Sequence, residues 1–397
     1  MFYDFYFRLL KLFHNKFISI MLSKLLYIFY ICRFCVKRVL TRKIKTSMER
    51  EDALDILNNA HSDSCGRPTY NNCKMNPEID LSIIIPVYNY ANLIEKNIQS
   101  VLGQRTQYTY EIIIVDDGST DGARDIVLRY SDNSKVKVIL QNNQGIAGAR
   151  NTGIDNATGR YLMFVDCDDI VHDDIVETLM KRAYQDDSDI VMCAHNLVKE
   201  KNGEVVDVIP NVYPSYNCLN DQNKDKIMNY AGLPWAKVYK RQLFEQVRFF
   251  PGYWYEDTIV QWLLFTQCRR FSYVPQVCYE YKWYENNFSH IQGNHTNKKS
   301  LDRYWILLAI IEQYEKQGMP FGEQFYTLLL KHLSAYYYPS LAGLEEKVVE
   351  AAFVMANELL VRYKPQEQCK LPYMLRVTEK AILTKDINLW KLASCNQ

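Results

Sequence analysis

Asp166, Asp168 and Asp169 place three carboxylates within four positions, directly behind the apolar run Tyr161-Leu-Met-Phe-Val165. The run is bulky throughout, as a strand buried on both faces must be, and Gly159 marks its start. Carboxylates cannot stay unpaired inside a sheet, so they belong at its edge, where solvent or a cation reaches them. Open α/β sheets bind ligands at that edge. Paired hard oxygen donors suit Mg²⁺ or Mn²⁺ shared with a substrate's phosphates, and the competing reading is an Asp-rich turn that caps the next helix.

The strand that delivers these acids belongs to a regular alternation. Strands are expected at Leu81–Val87, Tyr110–Val115, Val136–Leu140, Arg160–Val165 and Ser188–Ala194, with helices at Tyr90–Gly103, Asp121–Tyr130, Gly145–Ala157 and Asp173–Gln185. Strands alternating with helices of this length need right-handed crossovers and a mostly parallel sheet covered on both faces. The class is therefore α/β, doubly wound and Rossmann-like, and the segments Pro86-Val-Tyr88-Asn89, Asp116-Asp117-Gly118-Ser119 and Asp166 to Asp169 should meet in one crevice.

Beyond residue 195 the periodicity weakens into a loop-rich, aromatic region with Trp235-Ala-Lys237-Val-Tyr239 and Tyr253-Trp-Tyr-Glu256-Asp257. Such clusters serve as ligand platforms or as ordinary core. From Lys298 onward, apolar spacing of three and four reads as helices. Tyr336 to Tyr338 then pack, or offer a surface to an amphiphilic acceptor or a membrane. The chain divides into residues 1–47, 48–78 (a helix and linker), 79–290 and 291–397.

Between Met1 and Ser47 ten Lys or Arg face one acid, Asp4, with aromatic and aliphatic residues threaded between them. The run Phe17–Cys32 barely reaches spanning length and carries Lys24 near its middle, so a helix lying in the interface of an anionic, cytoplasm-facing leaflet is expected rather than a span. The other reading makes Met48 the start. Arg33, Lys37 and Arg38 follow with no small-residue cleavage site, which argues against a secretory signal.

A length of 397 residues allows two or three domains, and 48% hydrophobic content is enough for real cores. A net charge of +1 gives no electrostatic case for nucleic acid. Eleven cysteines without repeated spacing read as free thiols of a reducing compartment.

Taken together, Ser82-Ile-Ile-Ile-Pro86-Val-Tyr88-Asn89, Val115-Asp116-Asp117-Gly118-Ser119-Thr120-Asp121, Gly148-Ala-Arg150-Asn151-Thr-Gly153 and Phe164-Val-Asp166-Cys-Asp168-Asp169 resemble the family 2 glycosyltransferases of GT-A fold. The resemblance covers residues 81 to about 285. It implies an inverting, metal-dependent hexosyl- or N-acetylhexosaminyltransferase, acting from a nucleotide-diphosphate sugar on a glycan or lipid-linked acceptor in cell-surface polysaccharide synthesis. It makes Asp168 the direct ligand of a divalent cation and sets Asp166 on the metal's waters or the ribose. Asp117 accepts the N3–H of uracil between Pro86 and Tyr88, and Asn89, Gly118, Ser119 and Lys237 belong to the same donor site. Arg150 faces the phosphates or pairs with an Asp. Asp257 becomes the general base, with Glu256 an acceptor or structural contact; against this, both acids could simply favour a helix N-terminus. Asp169 caps the helix near Asp173. The segment Tyr281–His290 resembles the family's lid, but Lys282 stands where an Arg is usual, which weakens any diphosphate role for Lys282, Ser289 or His290.

Four rivals fit less well. A haloacid-dehalogenase-type phosphatase carries its Asp-x-Asp on the first strand, not the fourth. A nucleotidyltransferase or a dinucleotide oxidoreductase needs a Gly-rich loop where Pro86-Val-Tyr-Asn89 stands. A nucleotide-sugar-binding protein without transfer would not need Asp168 and Asp257.

Overall fold

In the computed structural model the described residues are 21–22, 24–26, 33–34, 36–39, 41–60, 66–71, 74–201, 203–213, 219, 223–284 and 296–395. The chain forms two compact units, residues 63–291 with 305–317, and residues 1–62 with 292–304 and 318–397. In chain order the elements before the acidic turn are α1 (Arg50–Ala60), β1 (Leu81–Val87), α2 (Ile94–Leu102), β2 (Tyr110–Asp116), α3 (Ala123–Leu128), β3 (Val136–Leu140), α4 (Gly145–Asn156) and β4 (Tyr161–Phe164). After it come β5 (Ile170–Val171), α5 (Ile175–Asp186), β6 (Ile190–Lys201), β7 (Glu204–Asn211), β8 (Lys237–Lys240) and β9 (Phe271–Trp283).

The sheet of the first unit runs β3-β2-β1-β4-β8-β6-β9-β5, with β7 on β6. β1 lies parallel to β2 and β4, in register Ile83 with Ile112 and Met163. Alternate side chains feed two cores. Ile83, Ile85, Ile112, Ile114 and Met163 face α2, α3 and α5. Phe164 points the other way, into Tyr239, Phe244 and Phe249, with ring centroids 5.5–6.0 Å away.

The last ladder bond between β1 and β4 runs from Val165 N to Ile84 O. Past it the strands part, and the crevice opens there. Pro86 stands just beyond, its missing N–H costing nothing on the side without a neighbour.

The expected mostly parallel arrangement holds for β1 to β4, and antiparallel β8 is then inserted between β4 and β6. The region after residue 195, expected to be loop-rich, instead holds the outer half of β6, all of β7 and the 13-residue β9. In β9 the aromatic alternation Phe271, Tyr273, then Tyr279, Tyr281, Trp283 is broken by Pro275 and by a register shift against Cys193 to His195, which hides the period of two. The aromatic cluster divides accordingly. Trp235, Tyr239 and Tyr255 are buried, with Trp235 stacked on Tyr279 and Tyr281 at 4.9 and 5.1 Å. Tyr253 and Trp254 are half-buried.

The second unit is helical. Its helices include α1 and, beyond α6 (Asp302–Lys316), α7 (Glu323–Lys331), α8 (Tyr337–Leu341), α9 (Glu346–Arg362), α10 (Tyr373–Leu383) and α11 (Ile387–Ser394). The first residues of α6 belong to this unit and those from Trp305 to the other. Trp390 is its wholly buried centre, donating to Leu333 O at 2.8 Å among Tyr337, Tyr338 and Phe353. Of the three tyrosines, Tyr337 is buried, Tyr338 half-buried and Tyr336 exposed.

The run Phe17–Cys32 lies mostly outside the described residues. Among those described, no helix is long and apolar enough to cross a membrane. The described cysteines, 167, 193, 268, 278, 369 and 395, are free thiols.

Gly153 sets how closely α4 approaches the sheet, because a Cβ there would lie 2.3 Å from Ile84 Cγ2. On an open helix face Gly→Ala gains roughly 0.5–1 kcal/mol. Here Gly153→Ala is expected to cost about 1–3 kcal/mol through overpacking, read as a lower urea midpoint. An unchanged midpoint would show that the approach is not tight.

Candidate active site

The acidic turn is held on several sides. Asp169 N closes it onto Asp166 O at 3.1 Å. Asn97, wholly buried on α2, donates through Nδ2 to the carbonyls of both Asp166 and Asp169, at 2.9 and 2.8 Å. Asp169 is buried, its carboxylate accepting from Tyr279 Oη at 2.6 Å and Lys282 N at 2.9 Å. The helix cap expected of Asp169 is thus not its role, since α5 begins only at Ile175; Asp169 ties the turn to β9. Tyr279 Oη also accepts from Asp166 N at 3.3 Å.

Asp166 and Asp168 are only partly buried. Asp168 Oδ2 accepts from Tyr284 Oη at 2.8 Å. Burial, then the neighbouring Asp166 charge, pushes Asp168 up to about 6.

Arg150 on α4 is 2% exposed and spans two loops. Its Nη2 donates to Asp166 Oδ1 at 2.8 Å and its Nη1 to Glu256 Oε1 at 2.6 Å. The alternative in which Arg150 pairs with an Asp is the one found, and with a second acid besides; its fork is occupied by the chain's own carboxylates rather than presented to phosphates. Asn151 beside it exchanges two bonds with Phe249, Nδ2 to O at 2.8 Å and N to Oδ1 at 2.9 Å. Adjacent residues of one helix therefore fix both ends of the loop carrying Glu256 and Asp257. Tyr255, at φ 63°, turns that loop in a conformation rare for a bulky residue. Burial holds Glu256 up at about 6. Asp257 is half-buried next to it.

The loops after β1 and β2 form a second cluster. Asn89, at φ 57°, donates through its backbone N to Ser119 Oγ at 3.1 Å and accepts from Thr120 N at 2.7 Å. Asn89 and Ser119 thus clasp the two loops together. Gly118, at φ 84°, leaves no room for a side chain against Asn143 N, 3.0 Å from where a Cβ would stand. Tyr88 is 46% exposed. Asp117 is 2% exposed, and its Oδ1 accepts from Gln141 Nε2 at 2.6 Å and Gln144 N at 2.9 Å, while its Oδ2 is buried without a partner. The Cys167 thiol, buried in the acidic turn, lies against the Tyr88 backbone and joins the clusters.

Lys237 is buried, with Nζ on the carbonyls of Leu233 at 2.7 Å and Trp235 at 3.3 Å. Its ammonium holds the loop before β8, and burial lowers it to about 7. Lys282 pairs with Glu200 through Nζ. Ser289 and His290 lie outside the described residues. Sequence reasoning missed Asn97, Gln141, Tyr279 and Tyr284. Asn97 had a signal, a polar residue within the buried stripe Ile94, Ile98, Val101; Gln141 had none.

Acids, an exposed aromatic ring and a buried lone acceptor at the carboxyl ends of parallel strands make a polar site with one apolar face. The class is that of GT-A glycosyltransferases. The profile of glycosyl transferase family 2 matches residues 82–248. The chain is 33% identical over 243 residues to the uncharacterized glycosyltransferase YibD of Escherichia coli, covering 59% of this chain and 70% of that one. It is 30% identical over 308 residues to glycosyltransferase GlyA of Streptococcus pneumoniae, a match spanning 72% of this chain and 42% of GlyA. The crystal structure of Staphylococcus aureus TarS shares the fold, with a TM-score of 0.54 at 19% identity over 80% of this chain and 55% of that one.

The chain belongs to glycosyl transferase family 2 and is a glycosyltransferase. The phosphatase and oxidoreductase rivals fall with that assignment.

The Arg150 bridge gives a direct test. Arg150→Met leaves two acids facing each other without their cation, and is expected to cost about 3–5 kcal/mol by thermal unfolding. Adding Glu256→Gln to Arg150→Met should recover part of the loss by removing one uncompensated charge. Additive losses would argue against coupling.

Proposed function

We propose that this glycosyltransferase moves a hexosyl or N-acetylhexosaminyl group from a UDP-sugar to an acceptor hydroxyl, inverting the anomeric carbon. The observation that carries the reading is the unpartnered Oδ2 of buried Asp117, whose backbone N donates at 2.8 Å to the carbonyl of Val87, next in sequence to the exposed Tyr88. A buried acceptor without a donor costs roughly 1–3 kcal/mol, which a ligand's ring N–H would offset while its face lies on the tyrosine. Asn89, Gly118 and Ser119 hold the loops that carry these two groups, and Pro86 stands near the end of the strand that leads to Tyr88.

Among the described residues no group of three or more His, Cys, Asp or Glu is set to hold a metal. The residues fit a shared cation nonetheless. Asp168 and Asp166 offer hard oxygens and leave the remaining positions to the donor's diphosphate, as suits Mg²⁺ or Mn²⁺. A cation held there would supply charge stabilisation to the leaving diphosphate. The acceptor O–H bonds to the anomeric carbon as the bond from that carbon to the diphosphate oxygen breaks, and the nucleoside diphosphate departs with the electron pair. Asp257 takes the acceptor's proton, and Glu256, bonded to Arg150, holds the loop that carries it.

Calorimetry of UDP, GDP and CMP, each with and without Mn²⁺, tests this reading. Mn²⁺-dependent binding of UDP alone is expected, lost in Asp168→Asn and kept in Asp257→Asn, whose transfer rate should fall about 10²–10⁴-fold. A fully active Asp257→Asn, or no binding of any nucleotide, would sink it.

The acceptor we propose is a glycan or lipid-linked sugar at the cytoplasmic face of a membrane, in polysaccharide assembly. Exposed Met21, Leu25, Val36, Val39 and Ile44 alternate with exposed Lys24, Arg33, Lys37, Arg42 and Lys43, which supports docking on anionic lipid. Sedimentation with phosphatidylglycerol vesicles should carry the protein down. The triple variant Lys37→Glu, Arg42→Glu, Lys43→Glu should stay in solution, and equal pelleting would reject this surface.

A further inference from the structure

Asp117 presents its two oxygens unequally, and the cause lies behind it. Thr152, on α4, donates through Oγ1 to Gln141 Oε1 at 2.6 Å. With the carbonyl end of the carboxamide so engaged, its NH₂ end must face Asp117, where Nε2 meets Oδ1 at 2.6 Å. The opposite orientation would set an amide oxygen against a carboxylate oxygen, so the hydrogen-bond pattern fixes the flip. Gln144 N gives Oδ1 a second donor at 2.9 Å. Oδ1 is thus satisfied from behind, and Oδ2 has no partner.

We propose that Thr152 and Gln141 are positioning residues for base selection, a relay that aims Asp117 Oδ2 as a pure acceptor and thereby selects uracil, whose N3 carries a hydrogen, over cytosine, whose N3 does not. This deepens, and rests on, the UDP-sugar reading. Two donors on Oδ1 favour the ionised carboxylate despite its burial, so Oδ2 offers lone pairs and no proton. The N3–H of uracil satisfies it. Cytosine, whose N3 is itself an acceptor, meets it lone pair to lone pair and leaves it unpaired. Neither Thr152 nor Gln141 need touch the base, and their influence passes through Asp117. In Gln141→Met the donor to Oδ1 is gone, and Asp117 can turn or take a proton. A protonated Oδ2 would donate to cytosine N3 as readily as the ionised one accepts from uracil.

The test compares binding of UDP and CDP at saturating Mn²⁺ by calorimetry, with melting temperatures to separate recognition from folding. Gln141→Met is expected to weaken UDP about tenfold and to shrink the UDP-to-CDP preference at least as much. Thr152→Val should move the preference the same way by less, and Thr152→Ser, which keeps the hydroxyl, should restore it. In the Gln141→Met background, Thr152→Val should add nothing, because the relay is already cut. Should Gln141→Met fold poorly, the Thr152→Val and Thr152→Ser pair decides alone. A UDP-to-CDP preference unchanged in the variants, while the wild-type protein binds UDP, overturns the relay and leaves the donor reading standing. Wild-type protein that binds neither nucleotide overturns the donor reading, and the relay with it.

Discussion

The site depends on one buried cation. Arg150 is drawn out of water between Asp166, on the turn after β4, and Glu256, which is 106 residues beyond Arg150 itself. Desolvating a guanidinium is expensive, and attraction repays the cost only where geometry is good and partners are ionised. Two short bonds from separate nitrogens meet the first condition. The bridge forces two loops that share no strand ladder to keep a fixed separation. With Asn151 clamping Phe249 from the next position on α4, the Glu256-Asp257 loop hangs from one helix, and the same helix is pressed onto β1 at Gly153. Helix, sheet and loop therefore move together or not at all.

That rigidity explains why strain is tolerated where it is. Asn89, Ala236 and Tyr255 all adopt positive φ, and each directly precedes or lies within a segment that bears site residues. Such conformations cost of order 1–3 kcal/mol each and persist only where the surroundings over-determine them. Here they are over-determined by named contacts: Ser119 and Thr120 on Asn89, the Lys237 ammonium on the carbonyls flanking Pro234, and Arg150 on the residue after Tyr255. The backbone is bent by tertiary bonds, not by local preference.

The same distinction separates what was legible in the sequence from what was not. β1 and β3 end where the apolar runs end, and the acids behind β4 stand at the strand edge as their chemistry demanded. Those signals are local, read from burial periodicity and from the cost of an unpaired charge. β9 was invisible because Pro275 and a register shift break its alternation, and its partner β6 lies more than eighty residues earlier, Ile190 pairing with Phe271. The roles of Arg150 and Asp169 depend on Glu256 and Tyr279, which no spacing ties to them. Asp169 looked like a helix cap for a local reason, and a distant tyrosine won because it offers a buried carboxylate a donor that the helix does not.

Comparing Asp169 with Asp117 shows how a fold marks an acid for use. Both are buried, and in both burial disfavours the charge. Asp169 has a donor on each oxygen, Tyr279 on one and Lys282 on the other, so nothing remains for a ligand and the residue is a strut. Asp117 has both its donors on one oxygen. A fold that needed only a strut there would gain by moving one donor across, since an orphaned buried acceptor is a standing cost. The cost persists because Gln141 is held from behind by Thr152 and Gln144 N is fixed at the opening of α4, so neither donor can shift to Oδ2 without breaking a second bond. The imbalance is therefore built into the framework, and the free oxygen is left for whatever enters the crevice with a hydrogen to give.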